Sequence, residues 1–243
     1  MAMNPSGAMQ PLAGMRLVEA CEAARREPAL LRPLTLLAAA WPGCERDRLL
    51  DQPLAERNRA LLALRALSFG PVLEGYAECA ACGAPMTFHL AVKDALASLD
   101  ACAASVPDDA AWRVREATTA DLLAASRMPD DEAAERELLR RCLVESATNA
   151  KNEVTTATPA ALAEFERIHA AAELHCALTC PQCGHAAHHE LDLADFVWRE
   201  ARHAARRLLA DIHTLALHYG WSEAAIAAMS QARRDAYLEL LDA

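Results

Sequence analysis

The chain has 243 residues and a formal net charge of −10; 53% of its residues are hydrophobic and only 5% are aromatic. This composition excludes an intrinsically disordered chain, and the many alanines favour a mainly helical fold. The acidic charge repels phosphate backbones, so nucleic acid is not the expected partner.

The N-terminal region, residues 1–75, predicts helices that build a core. Apolar residues recur at helical spacing from Met15 to Ala40, with breaks near Pro28 and Pro33. A further helix is predicted over residues 51–67, with its leucines, Leu67 included, facing the core. Its polar residues are expected to face water: Glu56, Arg57, Asn58 and Arg59.

Two Cys-x-x-Cys-Gly motifs are the most informative feature of the chain. Cys79 and Cys82 precede an alternating run that predicts a strand, and Cys180 and Cys183 precede a second candidate strand. Four thiolates from two such motifs close a tetrahedral zinc site and leave no position for a substrate. The pattern therefore predicts one structural Zn²⁺ in a zinc ribbon split between residues 76–92 and 174–198.

Two other interpretations of these cysteines stay open at this point. They could be metal-free, or a neighbouring residue, Cys176, His185 or His89, could replace one ligand. The remaining cysteines are interpreted as ordinary buried side chains: Cys21, Cys44, Cys102 and Cys142.

An enzymatic site is not expected. Cys176, Cys180 and Cys183 have the spacing of a radical enzyme's iron–sulfur cluster, but that motif begins a long barrel and would leave the first cysteine pair without a role. Redox-active dithiols lie at a helix N-terminus after a strand, whereas these pairs precede strands. We therefore predict a non-enzymatic protein with no small-molecule substrate.

Residues 93–173, between the two cysteine motifs, are predicted to form an inserted, mainly helical subdomain. Residues 112–116 could form a strand, and a helix is expected to begin at Thr119. Two further helices are predicted, over Pro129–Cys142 and Pro159–Ala172.

The C-terminal region, residues 199–243, predicts a helical tail. One long helix is expected over Asp195–His218 and ends at Gly220, which suits a left-handed residue. Ser222 and Ser230 can each cap one of two short helices that follow. No secretion signal or membrane helix is expected, so a cytoplasmic location is predicted.

The tail resembles the C-terminal part of baseplate proteins from contractile phage tails and extracellular contractile injection systems. The resemblance lies in the run Asp211–Glu223, which contains Tyr-Gly-Trp-Ser-Glu, and in the Arg-Arg-x-x-Tyr-Leu pattern at Arg233–Leu238. The proteins that it resembles are often labelled as T4-like baseplate hub or hub-assembly chaperone proteins. They also carry two cysteine pairs, the second followed by a strand and a Phe-x-Trp helix, here Phe196–Trp198.

The resemblance implies a zinc-binding assembly factor, or a minor structural component, whose partners are baseplate, hub or spike proteins. Trp221, Arg233, Arg234 and Tyr237 are the predicted docking residues, because aromatic and arginine side chains dominate interfaces. The alternative is that Trp221 only packs one helix onto another.

The alternative function is a nucleic-acid-binding zinc ribbon. In its favour is the segment Arg199–Arg207, which contains four arginines; its simplest interpretation is a solvated helix face.

Overall fold

The computed structural model describes residues 8–103, 113–144, 159–170 and 172–241. It consists of two compact units. The first comprises Met1–Cys44 and Asp195–Ala243, and the second comprises Glu45–Ala194. Both cysteine motifs belong to the second unit, whereas the predicted four-part division of the chain stays a prediction.

The described residues form eleven α-helices and six short strands. The helices in chain order are α1 Gly14–Arg25, α2 Arg32–Ala40, α3 Arg46–Leu50, α4 Leu54–Phe69, α5 Val92–Ala103, α6 Thr119–Ala125, α7 Asp131–Cys142, α8 Pro159–Ala170, α9 Leu193–Tyr219, α10 Glu223–Ala227 and α11 Gln231–Glu239. The strands are β1 Val72–Glu78, β2 Pro85–Ala91, β3 Arg113–Val114, β4 Leu143–Val144, β5 Leu174–Thr179 and β6 Ala186–Leu191. They form three antiparallel two-stranded sheets: β1–β2 and β5–β6 are hairpins, whereas α6 and α7 lie between β3 and β4 in the chain. This confirms a mainly helical fold with small β elements.

In the first unit, the termini of the tail helices follow the local signals in the sequence. The N–H of Gly220, with φ of +67°, donates to the carbonyl of Ala216 at 2.9 Å and ends α9. The hydroxyls of Ser222 and Ser230 accept hydrogen bonds from the first turns of α10 and α11, each at 3.3 Å. Both predicted caps are therefore confirmed.

A buried ion pair joins two helices of the first unit. Arg234 of α11 donates through Nε to Asp211 of α9 at 3.1 Å, and through Nη1 to the carbonyl of Met229 at 2.7 Å. Both charged side chains are buried. Because an unpaired charge would be unfavourable there, each partner needs the other.

In the second unit, the polar face predicted for α4 is wrong at two positions. Arg57 and Asn58 are buried, and Leu67, which was expected in the core, is 52% exposed. Asn58 accepts from Arg57 Nη2 at 3.0 Å and donates to the carbonyl of Ala172 at 2.8 Å. The helical periodicity did not predict this burial, because the carbonyl that accepts from Asn58 is supplied from 114 residues away.

A second polar network holds the region between the cysteine motifs together. Asp121 is buried and accepts hydrogen bonds from Arg115, from Arg141 at 2.8 Å and from the backbone of Thr118 at 2.9 Å. Burial alone would raise the pKa of Asp121, but these donors outweigh it and lower the pKa. The network ties α6 and α7 to the residues that follow β3.

Candidate metal centre

Each cysteine motif forms the turn of a hairpin, and the two turns have the same backbone hydrogen bonds. The amide of Cys79 donates to the carbonyl of Ala84 at 2.9 Å, and the amide of Cys180 donates to that of His185 at 2.8 Å. The amides of Gly83 and Gly184 in turn donate to the carbonyls of Cys79 and Cys180, at 2.8 and 2.9 Å. The two turns are therefore structural repeats of each other.

The glycine that ends each motif is required by the backbone. Gly83 has a φ of +70° and Gly184 a φ of +71°, in the left-handed region that side chains disfavour. This conformation reverses the chain directly after the second cysteine, so that both sulfurs of a motif reach the same point.

The two hairpins bring all four predicted cysteines together. Their sulfur atoms all lie within 4.8 Å of one another. The Sγ atoms of Cys79 and Cys183 are 3.7 Å apart, as are those of Cys82 and Cys180. Since Zn–S bonds of about 2.3 Å in a regular tetrahedron place the sulfurs about 3.8 Å apart, the arrangement fits a metal ion bound by four thiolates.

The first cysteine of each motif is buried and the second is exposed. Cys79 and Cys180 belong to a small apolar cluster with Ala84 and Met86, against which Ala77 and Leu178 pack. Cys82 and Cys183 lie at the surface of the unit. The site is thus dry on one side and accessible to solvent on the other.

The electrostatics of the cluster favour a cation. The pKa of Cys180 is lowered to about 7, because the backbone amides of Cys183 and Gln182 donate to its sulfur and outweigh burial. The amide of Ala84 likewise lowers the pKa of Cys82. The contact of the Cys82 sulfur with Cys183, its burial and the other two thiols outweigh that amide and raise the pKa of Cys82 to about 12. Four crowded thiols cannot all ionise alone, and a bound cation would stabilise the thiolates.

The residues considered as replacement ligands do not join this group. The four cysteines are the one cluster among the described residues with metal-binding geometry. Cys176 lies on β5 opposite His189, and burial raises the pKa of its thiol. His89 lies 3.8 Å from Glu74 on the exposed face of the first hairpin, and His185 is exposed.

The other cysteines agree in part with their prediction. Cys21 and Cys142 are buried, and burial raises the pKa of each thiol to about 11. Cys44 is half-buried, and the side chain of Cys102 lies outside the described residues, as does Trp112.

The predicted docking residues form an aromatic cluster in the first unit. The Trp221 ring stacks on Tyr219 at 4.5 Å between centroids and meets the Tyr237 ring edge-on at 4.8 Å. The guanidinium of Arg233 lies 5.8 Å from the centre of the Tyr237 ring. All three rings are half-buried, so each keeps a surface for a partner. Arg234 is instead occupied by its buried ion pair, so it is withdrawn from the docking set.

One polar cavity of the second unit has no counterpart in the sequence prediction. It measures about 210 Å³ and is lined by the buried Arg57 and Asn58, by His169, and by the acidic Glu190 and Asp192. No sequence pattern indicates it, because its lining comes from segments far apart in the chain. Its charged groups are of both signs, and Arg57, Asn58 and His169 hydrogen-bond within the chain, so it indicates no particular ligand.

Within the described part of the chain, no helix combines the length and the apolar character needed to span a membrane.

Comparison with known proteins finds no family model, no curated protein and no solved structure that matches this chain. The metal-binding geometry therefore stands on the residues themselves, and the resemblance of the tail to baseplate proteins stays a prediction.

Proposed function

We propose that this protein is a non-enzymatic, zinc-stabilised assembly factor or minor structural component of the baseplate or hub of a contractile tail-like particle. The observation that carries the proposal is the four-cysteine cluster, which leaves no coordination position open for a substrate. The tail pattern around Trp221 supports a role in a contractile tail-like particle, because it resembles that of baseplate hub proteins. The partners would be baseplate, hub or spike proteins.

Zinc is the metal that suits this site best. Four thiolates around a tetrahedral position, two from each Cys-x-x-Cys-Gly turn, are typical of structural zinc. The sulfurs that approach one another are 104 and 98 residues apart in the chain. Zinc would therefore clamp two distant segments together and restrict the chain between them.

Elemental analysis of the purified chain tests the metal. We expect about one zinc and no iron per chain, and a colourless protein. Iron in the site, which would colour the protein brown, or a protein that folds without any metal, would overturn the zinc assignment.

Co-expression tests the role in the particle. The affinity-tagged chain is produced together with the sheath, tube, hub and spike proteins encoded beside it. We expect it to bind a hub, baseplate or spike protein, and the Cys180→Ser variant to lose that complex. Binding to none of these proteins, or genomic neighbours unrelated to a contractile particle, would contradict the proposal.

A nucleic-acid-binding zinc ribbon is the second candidate. The observation in its favour is an exposed face of α9 that carries several arginines. The duplex DNA experiment described below decides between this function and protein docking.

A further inference from the structure

The outward face of α9 carries a continuous stripe of basic and apolar side chains. Six exposed residues at intervals of three or four form it, which we name the α9 stripe: Arg199, Arg202, Arg206, Leu209, His213 and Leu217. Residues at this spacing lie on one side of a helix. Leu208 and Leu215, both buried, lie on the opposite side of the same helix, and the buried Trp198 lies at the edge of the stripe, one turn before Arg202.

The stripe is positively charged in a protein whose net charge is −10. Arg199 forms an ion pair with Asp195 at 2.9 Å, which leaves its charge partly neutralised. Arg202 and Arg206, one turn apart, have no acidic partner within the described ranges. The stripe itself contains no acidic residue, so its charge is available to a partner of opposite sign.

The same stripe exposes two leucines. Leu209 is 40% exposed and Leu217 is 73% exposed, although most large apolar side chains of this helix are buried. Single exposed leucines are ordinary on a protein surface. Here, however, the two lie two turns apart and continue the row begun by the arginines, which is the pattern of a helix-binding surface.

We propose that the α9 stripe binds an acidic amphipathic helix of a partner protein. Carboxylates of that helix would accept forked hydrogen bonds from Arg202 and Arg206, and its apolar side would cover Leu209 and Leu217. This inference deepens the proposed function, because it names the chemistry of the partner on which an assembly factor would dock.

The composition of the stripe distinguishes this partner from nucleic acid. Single-stranded nucleic acid is bound by aromatic side chains interleaved with basic ones, and no aromatic residue lies on the stripe. Exposed leucines also contribute nothing to contacts with phosphates. An acidic helix, in contrast, uses both the arginines and the leucines.

The probe is a labelled, end-blocked peptide of about 18 residues, with leucines at helical spacing and glutamates elsewhere. A peptide with lysine in place of every glutamate and a duplex DNA of arbitrary sequence are the other two ligands. Binding to the full zinc-loaded chain is measured by fluorescence anisotropy at low and at moderate salt. We expect the acidic peptide alone to bind, and its affinity to fall as salt rises.

Two variants locate the binding. Arg202→Glu with Arg206→Glu is expected to weaken binding of the acidic peptide at least about tenfold, because attraction becomes repulsion. Leu209→Ser with Leu217→Ser is expected to weaken it without changing the salt dependence. The matched control, Arg25→Glu with Arg26→Glu at the exposed end of α1, makes the same charge change elsewhere and is expected to bind normally. Circular dichroism and zinc content establish that each variant is folded.

Four outcomes would overturn the inference. The first three are absence of binding by the acidic peptide, an equal loss in the α1 control, and preferential binding of the duplex. The fourth is self-association of the chain that disappears in the Arg202→Glu, Arg206→Glu variant, which would assign the stripe to a second copy instead. Failure to find a hub partner would refute the proposed function and leave these measurements unaffected, so the two failures are distinguishable.

Discussion

The two cysteine hairpins share their turns and differ in their strands. Each has the same amide-to-carbonyl bonds and a left-handed glycine after its second cysteine, and each contributes one buried and one exposed sulfur. Alignment of the turns makes the six residue pairs of β5–β6 equivalent to the six pairs of β1–β2 that lie nearest its turn. The leucine pair far from the turn is the same in both hairpins, Leu73–Leu90 and Leu174–Leu191, whereas two pairs on the same face nearer the turn differ in chemistry.

The second residue pair from each turn exchanges its large and small residues. In the first hairpin Ala77 faces Met86, and in the second Leu178 faces Ala187. Met86 and Leu178 both pack in the small cluster around the buried cysteines. Each hairpin thus contributes one large apolar side chain, from opposite strands, as expected where two similar surfaces must interdigitate.

The next equivalent pair on the same face of the hairpins differs more. Gly75 faces Phe88 in the first hairpin, and Cys176 faces His189 in the second. The Phe88 ring covers Gly75 so closely that a Cβ there would lie 2.1 Å from it. The comparison teaches that the turns are constrained because they must bring four sulfurs together, whereas the strands only have to pack.

The largest expected effect concerns the sulfurs, where the two hairpins should behave identically. Cys79→Ser and Cys180→Ser should each abolish zinc binding and lower the free energy of unfolding by at least about 3 kcal/mol, since structural zinc contributes on the order of 10 kcal/mol in small zinc-binding domains. Zinc content and chemical denaturation measure this. Cys176→Ser, in the same hairpin but outside the ligand cluster, is the control and should keep its zinc. A retained metal in either ligand variant would show that the hairpins are not equivalent.

The second prediction separates the hairpins. Gly75→Ala should lower the free energy of unfolding by about 1–2 kcal/mol, because the new methyl group displaces the Phe88 ring. Cys176→Ala at the equivalent position removes a half-buried thiol without a clash and should change stability by less than about 1 kcal/mol. Thermal unfolding of the zinc-loaded variants tests the contrast. Equal effects would mean that the ring moves without loss of packing.

The third prediction concerns the turn glycines. Gly83→Ala and Gly184→Ala should each destabilise the protein by about 1 kcal/mol, because alanine disfavours a positive φ. Among the described residues, apart from each glycine and its two chain neighbours, no atom lies within 4 Å of either added methyl group, so the effect is one of backbone conformation alone. Chemical denaturation is the measurement. Unequal values would reveal that one turn is held more rigidly than the other.

The sequence allowed the turns to be predicted, and the physical reason is that they are local. Two cysteines, the glycine after them and the following strand lie within a dozen residues, so their pattern already specifies the hairpin. The same holds for the serine caps of α10 and α11, which depend on three neighbouring residues. The contact between the two turns could be predicted as well, because four thiolates that share one ion must lie together.

Arg57 and Asn58 show where prediction from sequence ends. On helical periodicity they belong to a polar face, and they are buried because Thr119 and the carbonyl of Ala172 supply their partners from distant segments. The exposed Leu67 is the complementary error. Periodicity identifies which residues share a face of a helix, but not which faces other elements will cover.

The smallest predicted effect tests whether the second hairpin is only a repeat of the first. The Nε2 atom of His189 is buried and has no hydrogen-bond partner in the described part of the structure, whereas Phe88 at the equivalent position has no polar atom to satisfy. His189→Phe should therefore raise the free energy of unfolding by about 0.5–1 kcal/mol, because it removes an unsatisfied buried group. His188→Phe on the exposed face is the control, and chemical denaturation of the zinc-loaded proteins measures both. If His189→Phe is destabilising while the control is neutral, the imidazole stabilises the second hairpin through an interaction that Phe88 does not make in the first.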